Sequence, residues 1–185
     1  ETVLPLAKAD VLGNNITLVA SLGTIGAPGN ELDINGDYSN GVGTGSLTAN
    51  SPDNIFISET NGDLYLGTVT AGNTSTAFIT NSVGSIYNGA TSGFNAVSGS
   101  LWLFARDNIG TSAKPIATQT GNIKGKAETG DAYIQNSGAI TIGGVSGGAA
   151  GTAPAGLQAG GSASLGAESP ITISENIVAN DQIVV

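Results

Sequence analysis

The sequence predicts an all-β fold, a parallel β-helix (β-solenoid), and two observations predict it. Short apolar segments with period-two alternation recur from end to end of the 185 residues, bounded by Gly, Asn, Asp and Ser, which is the pattern of β-strands. Long phrases of sequence also recur at offsets of 76 to 85 residues, as expected of stacked, equivalent coils. No segment carries an amphipathic helical stripe longer than about two turns.

The strands are spaced by about 8 to 12 residues, so a coil of two or three strands takes roughly 20 to 25 residues and the chain forms about seven to nine coils. The predicted strands are ITLVA (16–20), IFIS (55–58), LYLGTV (64–69), AFIT (77–80), LWLFA (101–105), AYIQ (132–135), ITIGGV (140–145), ITIS (171–174) and QIVV (182–185). The positions predicted to face inward are Ile16, Leu18, Leu64, Leu66, Leu101, Leu103, Ile134, Ile140, Ile142, Ile171 and Ile173.

The repeated phrases cover most of the chain. NNITLVASLGTIGAPGNELDI (14–34) returns as SGSLWLFARDNIGTSAKPIAT (98–118), and NGDLYLGTV (61–69) returns as SGAITIGGV (137–145). We interpret the copies as equivalent coils of one rod. The whole chain, 1–185, is therefore predicted to be a single unit, with loop excursions near 35–53 and 143–161, where Gly-rich sequence interrupts the pattern.

Composition excludes several classes of function. Only 10% of residues are charged and the net charge is −9, which argues against nucleic acid and anionic membrane as partners. No apolar run approaches the roughly 18 residues of a membrane span, so membrane insertion is not expected. Without His or Cys, the chain has no Ser-His-Asp or Cys-His nucleophile system and no His-based zinc site. Because residue 1 is Glu, we expect a processed or excised chain.

Acidic residues offer two further hypotheses. They sit singly in predicted turns, as Asp63 does, so no enzyme activity is expected, although β-helix enzymes that act on polysaccharides use paired acids or Asp with Arg or Lys. In DINGD (33–37), Asp33, Asn35 and Asp37 have the alternate spacing of calcium ligands. The rest of that loop lacks the expected Gly and Glu, and an ordinary Asx-rich turn is the alternative.

Outward-facing aromatic residues are the predicted binding surface. If the neighbouring aliphatic residues face inward, period-two geometry points five aromatic side chains outward. Such a surface is suited to contact with a neighbouring subunit, a fibre partner or a glycan. The alternative is that the two excursions fold back and cover it. The residues are Phe56, Tyr65, Trp102, Phe104 and Tyr133.

The phrases ITLVASLGTIGAPGNELDI and LWLFARDNIGTSAKPIAT, followed by GDLYLGTV or GAITIGGV, resemble the repeats of large secreted exoproteins of the filamentous-haemagglutinin type. The resemblance covers roughly residues 9 to 185. It implies a right-handed parallel β-helix in bacterial adhesins that are exported as long chains and form surface fibres or matrix. The chain is shorter than members of that family, and we recognise no N-terminal secretion domain in it.

We therefore expect a structural, adhesive and non-catalytic protein, extracellular or at the cell surface, that self-associates into fibres or a biofilm matrix and binds a glycan or another cell-surface ligand. The apolar DQIVV (181–185) is the expected polymerisation contact. A carbohydrate-active β-helix enzyme is the alternative function. Two weaker alternatives are an ice-binding solenoid, although its outward Thr residues are irregular, and an antiparallel β-sandwich filament subunit.

Overall fold

A computed structural model describes residues 9–36, 45–146 and 155–185, and these ranges contain strands but no helix. Among them, therefore, no helix is long or apolar enough to cross a membrane. The strands are β1 (Val11–Leu12), β2 (Ile16–Val19), β3 (Leu32–Asn35), β4 (Leu47–Asn50), β5 (Ile55–Glu59), β6 (Leu64–Thr70), β7 (Thr76–Asn81), β8 (Ile86–Asn88), β9 (Ala96–Ala105), β10 (Ile116–Ala127), β11 (Ala132–Asn136), β12 (Ile140–Ile142), β13 (Leu157–Ala159), β14 (Ala163–Ala167), β15 (Ile171–Ile173), β16 (Ile177–Ala179) and β17 (Ile183–Val184).

The strands stack as a parallel β-helix of about seven turns, which confirms the predicted fold class. Every ladder between the named strands is parallel and joins neighbouring turns, so the alternative of an antiparallel sandwich is wrong. Ile55 stacks on Ala77, Leu101 and Ile123 in successive turns, so one turn takes about 22 to 24 residues.

Three ladders of stacked strands form the faces of the helix. Face 1 contains β3, β5, β7 and the second halves of β9 and β10. In each turn the chain passes from face 1 to face 2 and then to face 3. On face 2 and on face 3, inward side chains of successive turns stack in a ladder. The face 2 ladder runs Leu64, Ile86, Ile109, Ala132, Ala163 and Ile183. The face 3 ladder runs Ala49, Val69, Ala96, Thr118, Asn136 and Ala167.

The core is a stack of Ile, Leu and Ala side chains, and eight of the eleven predicted inward positions are fully buried in it. Leu18 and Ile171 are half-buried and pack against the same core. Ile173 is the exception, because 56% of its side chain is exposed. It pairs with the buried Ile142 and belongs to the same inward ladder, but no further turn of the described chain stacks on it.

The repeated phrases lie on different faces, which corrects their interpretation as equivalent coils. Ile25 and Leu32 stack on β5 of face 1, whereas Ile109 and Ile116 stack on β11 of face 2. The later copy is therefore displaced by three turns and one further face. Both copies form the same local structure, a six-residue loop (26–31 and 110–115) inserted between two inward side chains. The shared sequence encodes this loop and not a fixed position around the helix.

The two predicted loop excursions are shorter than expected, because part of each predicted segment is a strand. The segment 35–53 includes β4, which pairs with β2 and β6, and 143–161 includes β13, which pairs with β10. Both strands contribute buried side chains, because an insertion does not prevent the chain from rejoining the ladder.

Polar side chains stack at the corner that precedes face 2. Asp63 Oδ1 accepts a hydrogen bond from the amide of Ser85 (2.8 Å), and Ser85 Oγ accepts one from Asn108 (3.2 Å). Asn108 Oδ1 then accepts the amide of Asp131 (2.9 Å), and Asp131 Oδ1 the amide of Ser162 (2.7 Å). Each side chain thus accepts a hydrogen bond from a backbone N–H of the next turn. The chain bends at this corner, so that N–H has no carbonyl partner in the strand ladder.

Candidate functional site

Three aromatic residues stack on the outer side of face 1. Phe56, Phe78 and Trp102 occupy the same register position in β5, β7 and β9. The Phe56 and Phe78 rings are parallel with centroids 4.7 Å apart, and Phe78 meets Trp102 edge to face at 5.7 Å. Phe78 belongs to this column but was missed from sequence, although it is the outward residue of the predicted strand 77–80.

This column is covered, so it is not an accessible binding surface. Phe56 is 3% and Trp102 5% exposed, and Val145, which follows β12, packs into the same cluster. The expectation that Phe56 and Trp102 form a contact surface is therefore wrong, and the alternative of a cover is confirmed for the segment after β12. The buried Trp102 indole N–H has no hydrogen-bond partner among the described residues. These rings serve as a second apolar cluster outside the main core.

Phe104 is half-buried at the edge of that cluster. Lys126 of the next turn places Nζ 5.9 Å from the centre of the Phe104 ring and 3.2 Å from Glu128 Oε1. A cation at this distance is attracted by the ring quadrupole. The Lys126 side chain therefore occupies part of the surface that sequence assigned to a partner.

Face 2 carries the accessible aromatic pair. Tyr65 of β6 and Tyr87 of β8 are direct partners in register, with ring centroids 5.5 Å apart and planes inclined by 45°. They line a groove of about 540 Å³ together with Asp63, Asn88, Thr111 and Lys114. Tyr133 has the equivalent outward position two turns later, beyond the loop 110–115, and is also half-buried. Tyr87 was not among the residues predicted from sequence.

A larger groove of about 640 Å³ follows the corner between face 3 and face 1, and none of the described residues that line it is aromatic or charged. Among the residues that line it are Gln119, Thr120 and Asn122. The Tyr65–Tyr87 groove is the better candidate site because it combines apolar ring faces, a carboxylate and an ammonium group in one concave surface.

The predicted calcium ligands are only partly brought together. Asp33 and Asn35 project on the same side of β3, on either side of the buried Ile34, while Asp37 lies outside the described residues. Asp10, which sequence did not include, lies beside Asp33, and its Oδ2 is 3.3 Å from the Asp33 amide nitrogen. Within the described ranges, no group of three His, Cys, Asp or Glu side chains could hold a metal ion. The calcium site stays a prediction.

Two other carboxylates have structural roles. Glu59 is fully buried at the end of β5, where it accepts amide hydrogen bonds from Gly36 (3.0 Å) and Thr60 (3.1 Å), so it is not a solvated turn residue. Asp63 belongs to the corner ladder through Oδ1, and its Oδ2 makes no hydrogen bond to a described residue.

Glu175 ties the two ends of the segment between β12 and β13 to the following turn. Its Oε1 lies 2.9 Å from Lys124 Nζ and accepts the amide of Gly144 (3.2 Å), and Oε2 accepts the amide of Gly156 (2.8 Å). The hydrogen bond from Lys124 lowers the pKa of Glu175 below its ordinary value of 4.5. The two glycine amides act in the same direction, and partial burial opposes them.

The last described turn presents an apolar end surface. The strands β15, β16 and β17 pair with the preceding turn on one edge only. Ile173, Val178, Ile183 and Val184 are each about half exposed there. This surface and the tyrosine groove are the two regions of the described chain suited to a partner. No protein-family model, curated protein or solved structure matches the chain.

Proposed function

We propose that this chain is a structural and adhesive unit of a bacterial extracellular fibre, surface adhesin or matrix filament, without catalytic activity. The apolar end of the last described turn is the observation that carries the proposal. Its inward side chains, Ile173 and Ile183, continue the buried ladders of the core, and no described residue stacks on them. A second copy stacked on this end would bury them and extend the parallel ladder.

The first described turn supplies a matching edge. Within residues 9–36, β1 pairs only with β3 and β2 only with β4, so their outer edges carry no strand of the described chain. A parallel β-helix presents N–H and C=O groups at both ends, and these groups can pair with another chain. Contact between two different surfaces of identical subunits generates an open filament when the operation does not close, as in stacking along the helix axis.

The sequence resemblance supports the extracellular part of the proposal. Phrases such as GDLYLGTV and GAITIGGV resemble the rungs of filamentous-haemagglutinin-type exoproteins, which are secreted adhesins and fibre components. A surface wetted by hydroxyl and amide groups, with 10% charged residues, is compatible with close lateral packing of rods. The adhesive ligand would then bind on a side face, because the ends are used in assembly.

Assembly of the purified chain tests the proposal. We expect sedimentation velocity to show larger species as protein concentration rises, and negative-stain microscopy to show rods of stacked subunits. The variant Ile173→Asp places a charge on the end surface and should abolish growth. The matched control Val83→Asp changes an exposed Val at a corner in the middle of the rod and should leave assembly intact.

Two results would overturn the end-to-end contact. One is a monomer at every concentration of the unmodified chain, and the other is equal loss of assembly in Ile173→Asp and Val83→Asp. Circular dichroism and urea unfolding of both variants establish that the monomers are folded, so a loss of assembly can be assigned to the contact itself.

An enzyme that acts on polysaccharide is the second candidate, because Asp63 and Lys114 line the same groove as the two tyrosines. Asp with Lys is one of the acid and base combinations that such β-helix enzymes use. Incubation with a panel of neutral and uronic acid polysaccharides, followed by assays for new reducing ends and for unsaturated products, distinguishes the candidates. Cleavage that is lost in Asp63→Asn would favour the enzyme over the structural protein.

A further inference from the structure

The groove on face 2 has a rigid aromatic floor. Tyr65 and Tyr87 are each anchored by buried inward neighbours in the same strands, Leu64 and Leu66 in β6 and Ile86 in β8. Because the two tyrosines are direct partners in a parallel ladder, their spacing is set by the strand separation. The ring faces therefore need little reorganisation to receive a ligand, which lowers the entropic cost of binding.

The loop 110–115 forms one wall of the groove and is tied to the floor. Gly110 donates its amide hydrogen bond to the carbonyl of Ile86 (2.8 Å). Asn88 donates from Nδ2 to the carbonyl of Pro115 (2.8 Å), while its Oδ1 accepts from the buried Asn95 (3.0 Å). Thr111 and Lys114 are thus held above the tyrosine pair on a short, pinned loop.

We propose that this groove binds a neutral hexopyranose unit of a glycan chain. The axial C–H bonds of a pyranose ring form an apolar patch with a partial positive charge, which is attracted to the negative face of an aromatic ring. The hydroxyl groups at the ring edge require polar partners, and the groove supplies Asp63 Oδ2 as an acceptor and the Lys114 ammonium group as a donor. Its volume lies in the roughly 300–1,000 Å³ range of small-ligand sites.

Charge favours a neutral sugar over an acidic one. The groove contains one carboxylate and one ammonium group, and the whole chain carries a net charge of −9, which repels polyanions at a distance.

The test is titration calorimetry of the unmodified chain with three neutral tetrasaccharides, built from β-1,4-glucose, α-1,4-glucose and β-1,4-mannose, with an alginate tetrasaccharide as the anionic comparison. We expect saturable binding of at least one neutral probe and weaker binding of alginate. Tyr87→Ala should weaken that binding about tenfold, whereas Tyr87→Phe, which keeps the ring, should retain it within about threefold.

Tyr133→Ala is the matched control, because it removes an outward tyrosine of the same face that does not line the groove. It should leave the affinity unchanged, and a second floor variant, Tyr65→Ala, should reproduce the loss. Absence of binding to every neutral probe at about 10 mM, a preference for alginate, or equal affinity in Tyr87→Ala and the unmodified chain would each overturn the proposal.

This inference deepens the adhesive part of the proposed function, and the two can fail separately. Glycan binding is measured on the monomer, for which the Ile173→Asp variant is suitable, whereas end-to-end assembly is measured without glycan. If the chain binds sugar but never assembles, the proposal of a glycan-binding groove is kept and the proposal of a filament is overturned.

Discussion

Gly26 and Gly110 are the first residues of the two repeated loops, 26–31 and 110–115, and they have the same backbone conformation. Both have a φ of +67°, in the left-handed region, and in both a Cβ atom would collide with a carbonyl oxygen of the neighbouring turn. That oxygen belongs to Tyr133 for Gly110 and to Phe56 for Gly26. The repeated IG in the two phrases is therefore explained by a backbone requirement at the point where the loop leaves the ladder.

We predict that Gly110→Ala destabilises the fold by about 3 kcal/mol, because the left-handed conformation and the collision both penalise a side chain. The control Gly29→Ala has a similar φ of +72° but no atom within 4 Å of the added carbon. It should cost only the conformational penalty of about 1 kcal/mol. Urea unfolding followed by Trp102 fluorescence measures both, and equal costs would show that the close approach is unimportant.

At the scale of single residues, the sequence predicted which side of a strand a side chain faces better than it predicted whether that side chain is exposed to solvent. Alternation assigned Phe56 and Trp102 correctly to the outer side of their strands, since direction follows from period two. They pack in a cluster with Val145, which is more than 40 residues from Trp102 and follows a different strand. Local patterns contain no information on such a contact. The same limit applies to Tyr87, whose significance arises only from its register with Tyr65.

The short strands β12 and β13 together occupy the position of one strand in the stack, although a segment of the chain separates them. β12 pairs with the middle of β10, and β13 pairs with its last residues, so the two short strands together match one continuous strand of the preceding turn. Glu175 of the following turn accepts amides from Gly144 and Gly156, on either side of the interruption. The carboxylate holds the two half-strands in one ladder.

We predict that Glu175→Gln destabilises the chain by about 1 kcal/mol at pH 7, because it removes the charge that Lys124 and both amides stabilise. The pKa of Glu175 is lowered on folding. Its contribution is therefore complete above its ordinary pKa of 4.5 and is lost as the pH falls through the lower, folded value.

Urea unfolding of Glu175→Gln and the unmodified chain should thus give different stabilities at pH 7, and the difference should disappear as the pH falls below the lowered pKa of Glu175. The control Glu128→Gln removes an exposed carboxylate paired with Lys126 and should change stability by less than about 0.5 kcal/mol at either pH. A stability difference for Glu175→Gln that persists at low pH would contradict a role for its charge.

At the scale of elements, the sequence was sufficient for most strands and insufficient for their order around the helix. The alternating segments correspond to strands, and eight predicted inward residues are buried. The face on which each phrase lies could not be predicted, because each face requires the same alternation of inward aliphatic and outward polar residues. The segment GNIKGKA (121–127) shows the other limit: its glycines resemble a turn, yet it is the second half of β10 and contributes the buried Ile123.

Over the residues that the structure describes, the molecule is a one-dimensional stack in which strand pairing joins each turn only to the turns before and after it. Its stability is then approximately a sum of the terms for each turn and each contact between neighbours. Central strands such as β7 and β9 have a partner on both sides, whereas β15, β16 and β17 have a partner on one. The first described turn is likewise paired on one side, so local opening should cost least at the two terminal turns of the described chain.

We predict a gradient of amide hydrogen exchange along the rod, measured by mass spectrometry at a concentration where the chain is monomeric. Exchange should be slowest in β7 and β9, and faster at both ends, in β1 and β2 and in β15 to β17, because opening a terminal turn of the described chain breaks one interface between turns instead of two. Ile173→Asp should accelerate exchange in β15 and its partner β12 while leaving exchange in β5 and β7 unchanged, since no strand pairing joins those turns.

Uniform exchange in all strands would contradict the independence of the turns and indicate that the rod unfolds as one cooperative unit. Slower exchange of β15 to β17 at assembling concentrations, with β7 unaffected, would place the contact between subunits at the last turn.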